Sequence, residues 1–274
     1  MIKKIAVVGF VCFFTNFVFA QEVKNLITYK QVDTTTLKME VIYPPDLVKS
    51  KIYPAVVFFF GGGWISGSIN QFKPQANFFA KRGMVCFLVD YRVKNRQKIT
   101  PFESLKDAKS AMRFVRKNAR DFQVNPNAII ASGGSAGGHL AAATALIDNY
   151  NETTDDLSIS AKPNALILFN PVIDNGPDGY GYERVGDAYK NFSPLYNIRK
   201  NAPPTIVFQG TKDKLIPVAT AERFKNEMIK AGNQCELFLY DGQEHGFFNK
   251  KEFVDKTMVE TDKFLTQLGY LKPL

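Results

Sequence analysis

Apolar residues in this chain fall into short solid runs separated by longer amphipathic stretches. Leu37 to Tyr43 alternates apolar and polar side chains, which predicts a half-exposed strand. Ala55 to Phe60 is continuously apolar and ends in three glycines, the pattern of a buried strand running into a loop. Asn77 to Arg82 fits the end of a helix closed by Gly83. Val85 to Val89 predicts another buried strand. Glu103 to Ala119 places Leu105, Ala108, Met112 and Val115 at helical spacing, with basic residues opposite. Ala128 to Ala131 predicts a short buried strand, and Ala136 to Ile147 a helix of small residues. Two more buried strands follow at Ala165 to Phe169 and Thr205 to Phe208. Ala219 to Lys230 predicts an amphipathic helix stopped by Gly232, Cys235 to Tyr240 a last strand, and Phe253 to Leu268 a final helix.

Buried strands alternating with helices predict an α/β fold with a mostly parallel sheet covered on both faces. Right-handed crossovers make such a sheet doubly wound. Sites in these sheets gather beyond the carboxyl ends of the strands. The loops after Phe60, Ala131, Phe169, Phe208 and Tyr240 are therefore expected on one face. Residues 172–200 are the long irregular stretch, with Tyr180, Tyr182, Tyr189, Phe192 and Tyr196 among glycines and prolines. A stretch of that length inside a compact domain predicts a lid or binding loop.

The first twenty residues stand apart. Met1-Ile2-Lys3-Lys4 is a short basic start, Ile5 to Phe19 is mainly apolar, and Val18-Phe19-Ala20 puts small residues at the −3 and −1 positions of a cleavage site. This reads as a signal peptide over residues 1–20, ahead of a single domain over 21–274. The rival reading, an uncleaved anchor, asks for about 20 apolar residues, more than this run supplies. A secreted or periplasmic protein without a stable membrane anchor is expected.

Chemistry enters with Gly133-Gly134-Ser135-Ala136-Gly137, a G-x-S-x-G sequence between a predicted strand and a predicted helix. That context is the one a nucleophile elbow requires. A serine hydroxyl needs a base, and the chain has 2 histidines. His139 lies inside the helix after Ser135, so its side chain is expected to run along that helix in a structural or pocket-lining role. His245 lies in the loop after the last strand and is the expected base. Asp213, directly after the strand ending at Phe208, is the expected acid, with Asp174 as its rival. The order Ser135, Asp213, His245 suits the orienting and charge-stabilising role such an acid has. The backbone amides of Gly61-Gly62-Gly63-Trp64, with the amide of Ala136, are the expected oxyanion donors. Trp64, Tyr180 and Tyr182 are the expected substrate contacts.

Composition narrows the classes. The 274 residues are 45% hydrophobic and 22% charged, which excludes disorder and collagen-like repeats. Three cysteines are too few for a disulfide scaffold. Cys86 and Cys235 sit in apolar runs and are expected as buried free thiols, although an oxidising compartment permits a disulfide. Two histidines and scattered acids predict no metal site, and no phosphate loop is present, so no cofactor is expected. The formal charge of +9 drops by two with Lys3 and Lys4. No basic run interleaved with aromatics accompanies it, so no nucleic-acid partner is expected. The sequence leaves the oligomeric state open.

Together these residues resemble the α/β-hydrolase superfamily. Within it the chain is similar to the hormone-sensitive-lipase-like esterases and their secreted bacterial relatives, acetyl xylan esterases and other carbohydrate esterases among them. The carrying segments are F-F-F-G-G-G-W-I-S-G-S, V-D-Y-R, G-G-S-A-G-G-H-L-A-A, P-P-T-I-V-F-Q-G-T-K-D-K-L-I-P and E-H-G-F-F, spread over residues 54–250. The resemblance implies an α/β-hydrolase fold with a small cap or none. It places the nucleophile on Ser135, acid and base on Asp213 and His245, and oxyanion glycines on Gly62 and Gly63.

Two positions depart from the family pattern. Phe60 stands where a loop-bracing His is usual, which bears on loop geometry more than on chemistry. Gln209 stands where many relatives have His. The expected function is a secreted serine esterase that removes short acyl groups, acetyl above all, from an acylated polysaccharide or oligosaccharide. Feruloyl ester hydrolysis, a serine peptidase and a non-catalytic carbohydrate-binding relative are the alternatives.

Overall fold

The computed structural model describes residues 25–273. The signal peptide expected over residues 1–20 lies outside them. Strands β1 (Leu26–Val32), β2 (Thr35–Ile42), β3 (Tyr53–Phe59), β4 (Val85–Val89), β5 (Val124–Gly134), β6 (Ala165–Phe169), β7 (Thr205–Gly210) and β8 (Cys235–Tyr240) form one sheet. The long helices are α1 (Lys73–Lys81), α3 (Pro101–Lys117), α4 (Ala136–Leu146), α7 (Val218–Lys230) and α8 (Lys251–Gln267). Single turns of helix are α2 (Lys94–Gln97), α5 (Tyr182–Val185) and α6 (Tyr189–Phe192).

The spatial order is β1-β2-β4-β3-β5-β6-β7-β8, with β3 to β8 parallel and the β1–β2 hairpin antiparallel. The expected mostly parallel, doubly wound sheet is present. The first strand, β1, lies outside the elements that the apolar pattern predicts. It is an edge strand with three of its seven residues exposed, so it lacks the solid apolar run that marks the buried strands.

The two-residue period of each strand divides the core. Val57, Phe59, Phe87 and Val89 face α3, α4 and α7, whereas Val56, Phe58, Cys86 and Leu88 face α1 and α8. Cys86 and Cys235 are buried free thiols, and burial pushes the Cys235 thiol up to about 12. Helix α3 begins where the sequence provides for it. The Thr100 amide donates to Glu103 Oε2 at 3.0 Å and Pro101 occupies the first helical position. No helix among the described residues is long and apolar enough to cross a membrane.

Chain direction reverses at β3. The polypeptide moves outward from β3 to β4, then returns to the other side of β3 as β5. The crevice at such a reversal is where ligands bind in doubly wound sheets. Beneath it, on the α1–α8 face, Phe72 stacks on Phe58 and on Phe248, both with ring centroids 5.4 Å apart. Phe169 packs against Phe248 at 5.1 Å and Phe208 at 5.2 Å. These rings form a rigid floor under the loops above. Phe72→Ala removes the central ring and is expected to lower unfolding free energy by about 3–5 kcal/mol in a urea titration.

Candidate active site

The tight junction between β5 and α4 puts Ser135 at φ 53° and ψ −121°, a region that costs a non-glycine residue of order 1–3 kcal/mol. Packing on both sides holds it there. The Ser135 amide donates to Phe169 O at 2.9 Å, and its carbonyl accepts from Val172 N at 3.1 Å. Gly137 lets α4 close onto β3, since a Cβ there would lie 2.1 Å from Phe59 O. The hydroxyl thus stands above the sheet edge, at the amino end of α4, where developing negative charge is favoured.

His245 arrives from the loop after β8. Its Nδ1–H donates to Asp213 Oδ2 at 2.7 Å, and its Nε2 faces Ser135 Oγ at 2.9 Å. The carboxylate can only accept, so Nδ1 carries the hydrogen and Nε2 presents a lone pair to the hydroxyl. Asp213 is buried, and its Oδ1 accepts from the Leu215 and Ile216 amides, each at 2.9 Å. Burial alone would raise this carboxyl. The His245 hydrogen bond and the Ile216 and Leu215 amides outweigh it and hold the carboxyl below its usual range. The three side chains therefore form a continuous hydrogen-bonded relay.

The rival groups lie elsewhere. Asp174 Oδ1 accepts from Gly176 N at 2.8 Å and does not reach His245. His139 is fully buried in α4, its Nε2–H donating to Phe192 O at 2.8 Å. Its role is structural.

A cavity of about 250 Å³ opens over Ser135, bounded by Gly62, Gly63, Gln71, Tyr180 and His245. Gly62 has φ 128°, and a Cβ there would collide with Ser66 O at 2.1 Å, so only glycine fits this loop. The Gly62 and Gly63 amides have no protein acceptor among the described residues. The Ala136 amide lies in the first turn of α4, where no intrahelical partner exists. The bracing role open at Phe60 is filled by other groups. The Phe60 ring stacks on Tyr91 at 4.1 Å, and Tyr91 Oη donates to Phe60 O at 2.6 Å. Gly61 N donates to Gln71 Oε1 at 2.6 Å, and Arg184 Nη1 donates to Gly63 O at 2.7 Å.

Two expected substrate contacts are corrected. Trp64 is only 1% exposed. Its φ of 57° turns it inward, where the ring meets His139 at 5.1 Å and Phe192 at 6.1 Å. Tyr182 packs its ring against Tyr189 and does not border the catalytic cavity. Tyr180 does. Residues 172–200 carry α5, α6 and further short turns, anchored by buried Val172, Ile173, Phe192 and Leu195.

Other site residues carry weak sequence signals. Gln209, which departs from the family pattern, donates from Nε2 to Asp213 Oδ2 at 3.0 Å and to Ile216 O at 2.8 Å. Asn170, with φ 33°, accepts from Gly246 N at 3.0 Å and so anchors the His245 loop. Its position right after β6, before Pro171, is the one hint the sequence offers.

A family model described as BD-FAE matches residues 40–177, and one described as the dienelactone hydrolase family matches residues 179–273. An acetylxylan esterase of Xylanibacter ruminicola is 29% identical over 210 residues, covering 70% of this chain and 41% of its own. The chain spans about half the length of the curated relatives it matches. Among solved structures, Thermogutta terrifontis esterase 2 phosphoramylated by tabun superposes with a TM-score of 0.88 at 44% identity, covering 92% of this chain and 97% of that one. The same esterase with propionate bound gives 0.87 at 43% identity, covering 92% and 96%.

Two outcomes follow from the geometry. Gln209→Leu removes a donor from Asp213 and is expected to lower kcat for a 4-nitrophenyl ester about tenfold. Burial lowers the His139 pKa from 6.5 to about 4, partly countered by its bond to Phe192. The unfolded chain therefore takes up this proton first. Stability from this group is complete above pH 6.5 and falls as pH drops toward 4, by roughly 3 kcal/mol. Urea midpoints of the protein and His139→Gln across that range are expected to diverge in that sense.

Proposed function

This chain belongs to the α/β-hydrolase esterases of the BD-FAE family, and on that premise we propose that it is a serine carboxylesterase removing short acyl groups, acetyl above all, from a polysaccharide or its oligosaccharides. The observation that carries the catalytic reading is the relay itself: Asp213 to His245 at 2.7 Å, His245 to Ser135 at 2.9 Å.

Ser135 Oγ attacks the ester carbonyl carbon while His245 Nε2 takes its proton. Asp213, kept ionised, stabilises the imidazolium and fixes its orientation. The tetrahedral oxyanion is received by the Gly62, Gly63 and Ala136 amides, and a single such donor is worth roughly 3 kcal/mol. His245 then protonates the departing alkoxide, leaving an acyl-serine. Water, activated by His245, releases the acid and restores Ser135.

The short-acyl preference is supported by the small cavity, about 250 Å³, and by the related esterase solved with propionate. The acetylxylan esterase relative supports a carbohydrate ester. Burial of Trp64 removes the stacking face that would favour an aromatic acid such as ferulate. Export rests on the leader-like residues 1–20. Ser135→Ala is expected to cut 4-nitrophenyl acetate hydrolysis by roughly 10⁴-fold or more, and retained turnover refutes the assignment. Acetate release from acetylated glycans, set against hydrolysis of long-chain 4-nitrophenyl esters, tests the substrate class. Preference for the long chains sinks the glycan reading.

A further inference from the structure

A second cavity of about 360 Å³ adjoins the catalytic one, and the two share Tyr180 and Leu215 as walls. That volume lies within the range of about 300–1,000 Å³ usual for small-ligand sites. Its far side is built from three separate parts of the fold: Asp174 beyond β6, Tyr196 in the loop after α6, and Arg223 on α7. Nothing in the relay uses these residues.

Their chemistry is mixed in an informative way. Arg223 sits over the Tyr196 ring at 5.6 Å, and its nearest approach to Asp174 Oδ2 is 3.8 Å. That separation is beyond a hydrogen bond, so guanidinium donors and a carboxylate acceptor both remain free to engage a ligand. Asp174 Oδ1 is meanwhile fixed by Gly176 N, which holds the carboxylate in place. Tyr196 is 40% exposed and Leu215 49%, so aromatic and aliphatic surface faces the same space. A ligand with hydroxyls on its rim and C–H groups on its face matches this set. A hydrocarbon chain would offer the Arg223–Asp174 ion pair no hydrogen bonds, and a phosphate would meet the Asp174 carboxylate.

Position assigns the role. Leu215 and Ile216, which wall this cavity, also supply the amides that fix Asp213, so the cavity lies on the acid–base side of Ser135. Departing alcohol must face the His245 imidazole to be protonated, whereas the carbonyl oxygen must face the glycine loop. We infer that this second cavity is the subsite for a pyranose unit of the leaving alcohol. Asp174 and Arg223 bridge neighbouring hydroxyls there, and Tyr196 and Leu215 cover the ring face. The inference rests on the glycan-ester function proposed above and deepens it.

The test compares kcat/KM on acetylated xylo- and manno-oligosaccharides with kcat/KM on 4-nitrophenyl acetate, which has no sugar to place. Arg223→Ala and Asp174→Asn are the variants; the second keeps the Oδ1 acceptor for Gly176. Each is expected to lower kcat/KM on the better oligosaccharide about tenfold more than on the aryl ester, mainly through KM. Equal losses on both substrates, or none on either, overturn the subsite and leave the glycan-ester reading standing. Should the unaltered protein hydrolyse the aryl ester yet release no acetate from any oligosaccharide, the functional reading itself fails, and the subsite with it. A direct check uses Ser135→Ala titrated calorimetrically with the unacetylated oligosaccharides. Binding at least tenfold weaker when Arg223→Ala is added supports the subsite, and unchanged binding contradicts it.

Discussion

Contact between α4 and β3 is the constraint on which the site depends. At Gly137 the helix comes so close to the strand that no side chain fits between them. That closeness leaves one short path from β5 into α4, and the path forces Ser135 to a positive φ. The strain is sustained because the residue is over-determined: its amide is tied to Phe169 and its carbonyl to Val172. Loosening the contact would let the backbone relax and swing the hydroxyl off the rim.

The remaining catalytic parts are also tied down, Asp213 by its near neighbours and the His245 and glycine loops by groups from other elements. Asp213 is fixed by two amides of its own loop and by Gln209 from β7. The His245 loop is tied to Asn170, beyond β6. The glycine loop is clamped by Tyr91, Gln71 and Arg184. Donors and dipoles arranged before substrate arrives need no reorganisation during the reaction, which is where most electrostatic catalysis originates. The stacked phenylalanines beneath supply a floor that these loops cannot sink into.

Phe60 shows how a side chain without polar atoms can still brace the glycine loop. Phe60 has no polar atom to offer, yet its ring stacks on Tyr91 and its carbonyl receives the Tyr91 hydroxyl. The loop is held at this point by a ring contact and a hydroxyl from another element. Trp64 belongs to the same clamp: buried against His139 and Phe192, it anchors the glycine loop from behind.

Local signals in the sequence were enough to place seven of the eight strands, the five long helices, the elbow serine, and the loops that carry Asp213 and His245, because each is written in neighbouring residues. Solid apolar runs mark buried strands, and glycines flanking a serine mark a tight turn. The half-exposed β1 had no such run. Which way a loop side chain faces is a different kind of question. Trp64 and Tyr182 look alike in sequence to Tyr180, but only Tyr180 borders the catalytic cavity. Asn170 gains its role from a bond to Gly246 in another loop, and Gln209 from a side chain that turns onto the loop following its own strand. Those orientations arise from long-range packing, which fixes one backbone angle and one neighbour at a time, and no periodicity along the chain encodes it.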